Sequence, residues 1–205
     1  MKRIVIFGAT GKTGRLAVHR ALQGNYEITA FGRSANKLNF DQPVIKMQGD
    51  ILNEEDVSKA IASQDCVIVC LGPISLKDRV TLTKGAENIV SAMQQHNVDR
   101  VIFISAAGVG ESWKQIPWYS KLLFRTMLKT IISEHSKEEK IFIESGLAWT
   151  AIRAAVLTNK QSVNTVTTTN SGKIKTITRE GLAQFLVDQI DSSKFLNQAI
   201  AVGQN

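Results

Sequence analysis

The sequence predicts an α/β protein built on a doubly wound, mostly parallel sheet. Three observations carry this. Short apolar runs alternate with amphipathic helical stretches along the chain. A glycine-rich turn follows the first of those runs directly. The 205 residues, 43% of them hydrophobic, are not divided by any Pro/Gly/Ser-rich linker, so residues 1–205 read as one domain with a substantial core.

The first strand is expected at Ile4, Val5, Ile6 and Phe7, an apolar run too short for a helix and typical of a strand buried on both faces. Gly8, Gly11 and Gly14 follow, and an amphipathic helix opens near Lys12 with Leu16, Ala17, Ala21 and Leu22 on one face. Such a turn lets backbone N–H groups approach a pyrophosphate, and the positive end of the helix dipole points at it. The first ligand to expect is therefore a nucleotide.

A second strand at 27–31 ends in Gly32, Arg33, Ser34, Ala35, Asn36 and Lys37. An acid at this position would bind the adenosine ribose of NAD, whereas an arginine accommodates the 2′-phosphate of NADP. The acid is missing and Arg33 is present, with Lys37 one turn on and Lys12 in the glycine loop as further cations for that phosphate. NADPH is accordingly preferred over NADH. A third strand at 44–48 closes on Gly49, Asp50, Ile51 and Leu52, a place where Asp50 and the Ile51 backbone meet an adenine ring or where Asp50 caps the loop. Asn53 caps a helix over 54–62, and Glu54, Glu55 and Asp56 complement its dipole.

The fourth strand, 65–71, breaks at Gly72-Pro73, where the central ribose and phosphates of a dinucleotide would pass. A long helix follows with Leu82, Ala86, Ile89, Val90 and Met93 as its core stripe. Strand 101–104 then leads to Ser105 at its carboxyl end, where open α/β sheets bind ligands. Residues 113–132 are rich in Trp, Leu, Ile and Phe, and Lys121, Arg125 and Lys129 form one basic stripe. Three uses stay open for this stretch: packing on the sheet or on a second subunit, a wall of a substrate pocket, or a membrane-surface helix. Helix continues over 137–145, a sixth strand covers 149–153, and the Thr-, Asn- and Ser-rich stretch 161–175 suits a small hairpin or loop over the site. Thr178 caps a last helix carrying Leu182, Leu186 and Ile190, and 198–202 supplies the final strand.

Other function classes recede. The net charge of +7 is spread evenly, with 13 of the 25 Lys/Arg at or before Ser105, and no RNA- or DNA-binding motif accompanies it, so a small anionic ligand suits it better than nucleic acid. No apolar stretch approaches the roughly 18 residues of a membrane span and no signal-peptide pattern opens the chain, which predicts a soluble cytoplasmic protein. Cys66 and Cys70, four apart on a strand with no second pair, read as reduced core residues, and no metal site is expected.

The motifs G-A-T-G-K-T-G at 8–14, G-D-I-L at 49–52, I-S-A at 104–106, E-S-G-L-A-W-T-A-I-R at 144–153 and I-T-R-E-G-L-A-Q-F-L at 177–186 together cover nearly the whole chain. In this order they resemble the atypical short-chain dehydrogenase/reductases with Rossmann-like, NmrA-like NAD(P)-binding domains. Within that group the similarity is greatest to the biliverdin-IXβ reductase/flavin reductase family and its bacterial relatives. The resemblance implies that Gly8, Thr10, Gly11, Lys12 and Thr13 bind the pyrophosphate, Arg33 and Lys37 the 2′-phosphate, Asp50 and Ile51 the adenine, and Leu71 and Gly72 the ribose. It implies Ser105 beside the nicotinamide as the catalytic residue that orients it or the substrate, with substrate-side elements in 106–135 and 154–178. His135 matches a position often polar in the family, but a lone histidine on a helix is ordinarily a surface residue, and it is expected there. Arg153 stands where many relatives carry Arg-Pro, here followed by Ala154.

The Tyr-x-x-x-Lys pair of alcohol-acting short-chain dehydrogenases is missing: Leu123 follows Tyr119 at that spacing, and Tyr26 lies in a strand. This points to a planar conjugated acceptor such as a flavin, a tetrapyrrole or a quinone, to which hydride passes without a tuned tyrosine. An NmrA-like redox sensor that binds NADP without turnover and docks on a partner through 113–132, or an accessory protein that uses the nucleotide structurally, is the alternative.

Overall fold

A computed structural model of the chain describes residues 1–115, 129–159, 167–169 and 174–203. The strands are β1 (Lys2–Phe7), β2 (Tyr26–Gly32), β3 (Ile45–Gln48), β4 (Cys66–Val69), β5 (Arg100–Ala106), β6 (Ala148–Ala154), β7 (Val156–Thr158), β8 (Thr167–Thr169), β9 (Thr176–Thr178) and β10 (Gln198–Gly203). The helices are α1 (Lys12–Leu22), α2 (Glu54–Ile61), α3 (Thr81–His96), α4 (Lys129–Glu144) and α5 (Arg179–Asp188). The main sheet runs β3-β2-β1-β4-β5-β6-β10-β8. Seven of its strands are parallel, and β8 pairs antiparallel with β10 at the edge.

The alternation of side chains along the central strands divides the core into two layers. Ile4 and Ile6 of β1, Cys66 and Ile68 of β4 and Ile102 and Ile104 of β5 pack with Ala17, Val18 and Ala21 of α1 and Leu182, Ala183 and Leu186 of α5. Their neighbours Val5, Phe7, Val67, Val69, Val101 and Phe103 face the other way, against Val57 and Ile61 of α2, Ile89 and Met93 of α3 and Phe142 of α4. Ile4, Val5, Ile6 and Phe7 are all fully buried, which is why β1 reads as an unbroken apolar run. Each such side chain contributes about 1.5–3 kcal/mol by leaving water.

The strand order reverses between β1 and β4. Chain leaving β1 turns into α1 on one face, and chain leaving β4 passes to α3 on the other, so a crevice opens at their carboxyl ends. Residues 167–169 belong to the main sheet as β8, not to a free hairpin over the site, and 176–178 pair in parallel with 156–158 as a second, two-stranded sheet. Residues 170–172 of the Thr-, Asn- and Ser-rich stretch, Tyr119 and the 116–128 part of the basic apolar stretch lie outside the described residues. Among the described residues no helix is long and apolar enough to cross a membrane.

Candidate functional site

Gly8 sits at φ +74°, and a β-carbon there would stand 2.6 Å from the Cys70 carbonyl oxygen. The Gly11 N–H donates to the Gly8 carbonyl at 2.9 Å, closing the turn, and a β-carbon on Gly14 would lie 2.2 Å from that same oxygen. Only glycine allows this path. It delivers α1 with Gly11 as an extended N-cap, no side-chain cap and no acid in its first turn. Helices α2 and α5 begin differently. Asn53 accepts from the Asp56 N–H ahead of three acids at α2, and Thr178 accepts from the Gly181 N–H at α5. The first N–H groups of α1 are thus left for an anion.

Two cavities open beside this turn. The smaller, about 260 Å³, is lined by Gly8, Thr10, Gly11, Arg33, Asp50, Ile51, Leu71 and Gly72. The larger, about 930 Å³, is lined by Gly11, Lys12, Thr13, Leu71, Gly72, Ser105 and residues drawn from 106–135 and 154–178. Gly11, Cys70, Leu71 and Gly72 belong to both. Lys12 and Arg33 therefore sit on different cavities, and exposed Lys37, in the 3₁₀ turn Ala35–Lys37, lines neither. Asp50 caps its loop, its carboxylate accepting the Leu52 N–H at 3.0 Å, and it also lines the smaller cavity. The Ile51 carbonyl accepts from Nδ2 of buried Asn88 at 2.9 Å, which ties this loop to α3.

The chain after β4 is held by Asp78, whose carboxylate accepts the backbone N–H groups of Ile74, Val80 and Thr81. Partial burial opposes its ionisation, but these donations outweigh burial and bring its pKa to about 2. Cys66 is a core residue, as expected. Cys70 is not wholly so: β4 ends at Val69, and Cys70 lines both cavities while packing on the core. Burial pushes both thiols up to about 12, so neither is a nucleophile near neutral pH.

The larger cavity is backed by charged groups that the sequence did not signal as buried. Ser105 donates its hydroxyl to Glu139 at 2.5 Å, and Arg153 holds the same carboxylate through Nε at 3.0 Å and Nη2 at 2.7 Å. His135 is not on the surface. It is 6% exposed, lines the cavity, and places Nδ1 2.8 Å from Oε2 of Glu138. Burial raises the Glu138 pKa, with His135 acting against that rise. Glu134, Glu138 and Glu139 are all buried on α4. One sequence signal was available: His135, Glu138, Glu139 and Phe142 stand at i, i+3, i+4 and i+7, the spacing of a core stripe. Tyr26 lies away from both cavities, donating to Asp191 at 2.6 Å, and burial together with that carboxylate pushes it up to about 12. Among the described residues no metal-ligating cluster forms.

A parallel sheet in the order 3-2-1-4-5-6, with a glycine turn and an uncapped helix start at its reversal, defines a dinucleotide-binding protein. The residues present fit such a ligand, since a β-carbon on Gly72 would stand in open space at the meeting of the two cavities. The family model described as NAD(P)H-binding matches residues 8–193, and the chain belongs to that family. A 3-beta-hydroxysteroid dehydrogenase from Mycolicibacterium neoaurum is 28% identical over 119 residues, 52% of this chain and 32% of that protein. The chain spans about a third of the length of the curated relatives it matches. A short-chain dehydrogenase/reductase from Veillonella parvula, solved in complex with NADP, superposes with a TM-score of 0.83 at 22% identity, over 99% of this chain and 94% of that one. ChuY, an anaerobillin reductase from Escherichia coli O157:H7, gives 0.84 at 18% identity, over 98% and 97%. These likenesses agree in fold with the atypical short-chain reductases that the sequence resembles.

Proposed function

We propose that this chain is an NADPH-dependent reductase acting on a planar conjugated acceptor, of the flavin, biliverdin-like tetrapyrrole or quinone kind. The observation that carries the reading is the larger cavity. It opens off the glycine turn, shares Gly11, Leu71 and Gly72 with the smaller cavity, and continues past Ser105 toward apolar walls that include Ile132, Leu157 and Ile174. A dinucleotide laid across the shared residues leaves its reactive end in a space with room for a flat partner.

When bound, the nicotinamide supplies hydride. The chain's part is binding and orientation. The N–H groups opening α1 hold the pyrophosphate, Arg33 reads a 2′-phosphate, and Asp50 with Ile51 flanks the adenine. The Ser105 hydroxyl donates its hydrogen bond to Glu139, so it meets a ligand with an oxygen lone pair and orients it. Tyr26 is tied to Asp191 elsewhere, which supports an acceptor that needs no tyrosine acid. The NADP complex of the Veillonella neighbour and the reductase activity of ChuY fit the same reading.

The test follows NADPH oxidation at the nicotinamide absorbance band with FMN, biliverdin and a simple quinone in separate runs. Oxidation far above that of the protein-free mixture is expected with at least one. Tight NADPH binding with no turnover of any would overturn the reading in favour of a redox-sensing or accessory role.

A further inference from the structure

We propose that His135, oriented by the buried carboxylate of Glu138, delivers the proton that accompanies hydride onto the acceptor; this deepens the reductase reading above and rests on it. Three buried acids lie on α4, and their partners differ. Glu134 accepts from Lys137 at 2.7 Å and Thr83 at 2.8 Å, and Glu139 is matched by Arg153 and Ser105. Glu138 is fully buried, its Oε1 has no partner among the described residues, and the one group at its Oε2 is the imidazole of His135.

A carboxylate buried in this way is costly unless it shares a proton with its neighbour. The Nδ1–Oε2 contact is where that proton sits. Because Nδ1 is engaged, Nε2 is the ring nitrogen left for a ligand, and His135 lines the cavity. Competing donors are fewer than the lining suggests. The Ser105 hydroxyl proton is committed to Glu139, and Cys70 holds its proton too tightly.

In the step, the doubly protonated His135 ring gives up its Nε2 proton, the N–H electron pair stays on the ring, and the Nδ1 proton stays on the Glu138 contact, leaving a neutral imidazole. The proton bonds to a heteroatom of the acceptor, which takes two electrons and its other hydrogen as hydride from NADPH, leaving NADP⁺. Water then returns a proton to the ring.

Two measurements on the full chain test this. The first is ¹⁵N NMR of the imidazoles, of which the chain has three, with His135 assigned by its loss in His135→Asn. The neutral His135 ring of ligand-free wild type is expected to carry its proton on Nδ1, and that of Glu138→Met on Nε2. Oxidised FMN added without NADPH should move the His135 Nε2 signal and leave those of His19 and His96 in place. The second is turnover. His135→Asn should lower kcat about 100-fold or more, and Glu138→Met about 10-fold or more by analogy with other orienting partners of a working histidine, with KM for NADPH unchanged. An unchanged tautomer in Glu138→Met, an undisturbed Nε2 signal with FMN, or a kcat within twofold of wild type in a folded His135→Asn overturns the proposal. Turnover by wild type with any of those results removes only the proton assignment; no turnover of any acceptor by wild type removes the reductase reading and this proposal with it.

Discussion

The smaller cavity is walled largely by backbone. Gly8 and Gly11 shape it, the Ile51 carbonyl is pinned by Asn88, and the exposed Arg33 is its one cation among the described residues. The larger cavity is backed instead by side chains paired across the fold, Ser105 and Arg153 on Glu139 and His135 on Glu138. The first therefore tolerates changes of charge in its walls but little added volume in its turn. The second tolerates changes of volume better than the loss of one member of a pair.

Arg153→Ala is the strongest probe of that contrast. It leaves the Glu139 carboxylate buried with only Ser105, and stability in urea should fall by about 3–5 kcal/mol. A loss below 1 kcal/mol would mean that pairing does not hold the larger cavity. Gly14→Ala comes next, because its methyl meets the Gly8 carbonyl with no flexible side chain to move; about 2–3 kcal/mol should be lost in the same titration.

Arg33→Ala should leave stability alone and weaken NADPH binding 10- to 100-fold, the loss of a charge-assisted contact worth about 1.5–3 kcal/mol, while NADH binding by calorimetry stays unchanged. Equal losses for both would show that Arg33 does not read the 2′-phosphate. Gly72→Ala makes the opposite point to Gly14→Ala. Its methyl enters open space, so the melting temperature should hold while affinity for either dinucleotide drops about tenfold, or 1.4 kcal/mol.

The smallest effect belongs to Asp78. With a folded pKa of about 2, below the usual carboxylate value of about 3.9, its contribution is present above pH 4 and lost as pH falls toward 2. Asp78→Asn should cost about 1 kcal/mol at pH 7 by denaturant titration. That gap should narrow toward pH 2 and close below it, and a gap independent of pH would rule out the carboxylate as its source.

The same contrast decides what the sequence could tell. A backbone-built site leaves local marks, so the glycine turn, the helix at Lys12 and the place of Arg33 could be read directly. The central strands were legible because burial on both faces makes continuous apolar runs, and their bounds shifted by only a residue or two. Side-chain pairs leave no such mark. Glu139 finds Arg153 14 residues away and Ser105 34 residues away, and only the finished sheet brings them together. His135 is buried where a lone helical histidine is ordinarily exposed, because polar residues here occupy a stripe that helices ordinarily fill with apolar ones. The strands β7, β8 and β9, three residues each, are made by distant pairing and carry no periodicity of their own.

The parallel ladder between β1 and β4 has a consequence for how the chain is made. Ile4 pairs with Cys66 and the Phe7 carbonyl accepts the Cys70 N–H, so the glycine turn is moulded against a segment synthesised some sixty residues later. During translation the nucleotide loop emerges first and takes its shape late, after a long-range pairing of the kind that slows folding. A chain arrested before β4 carries every glycine of the motif and no site, so nucleotide binding by nascent chains of increasing length should begin only once Cys70 has cleared the ribosome.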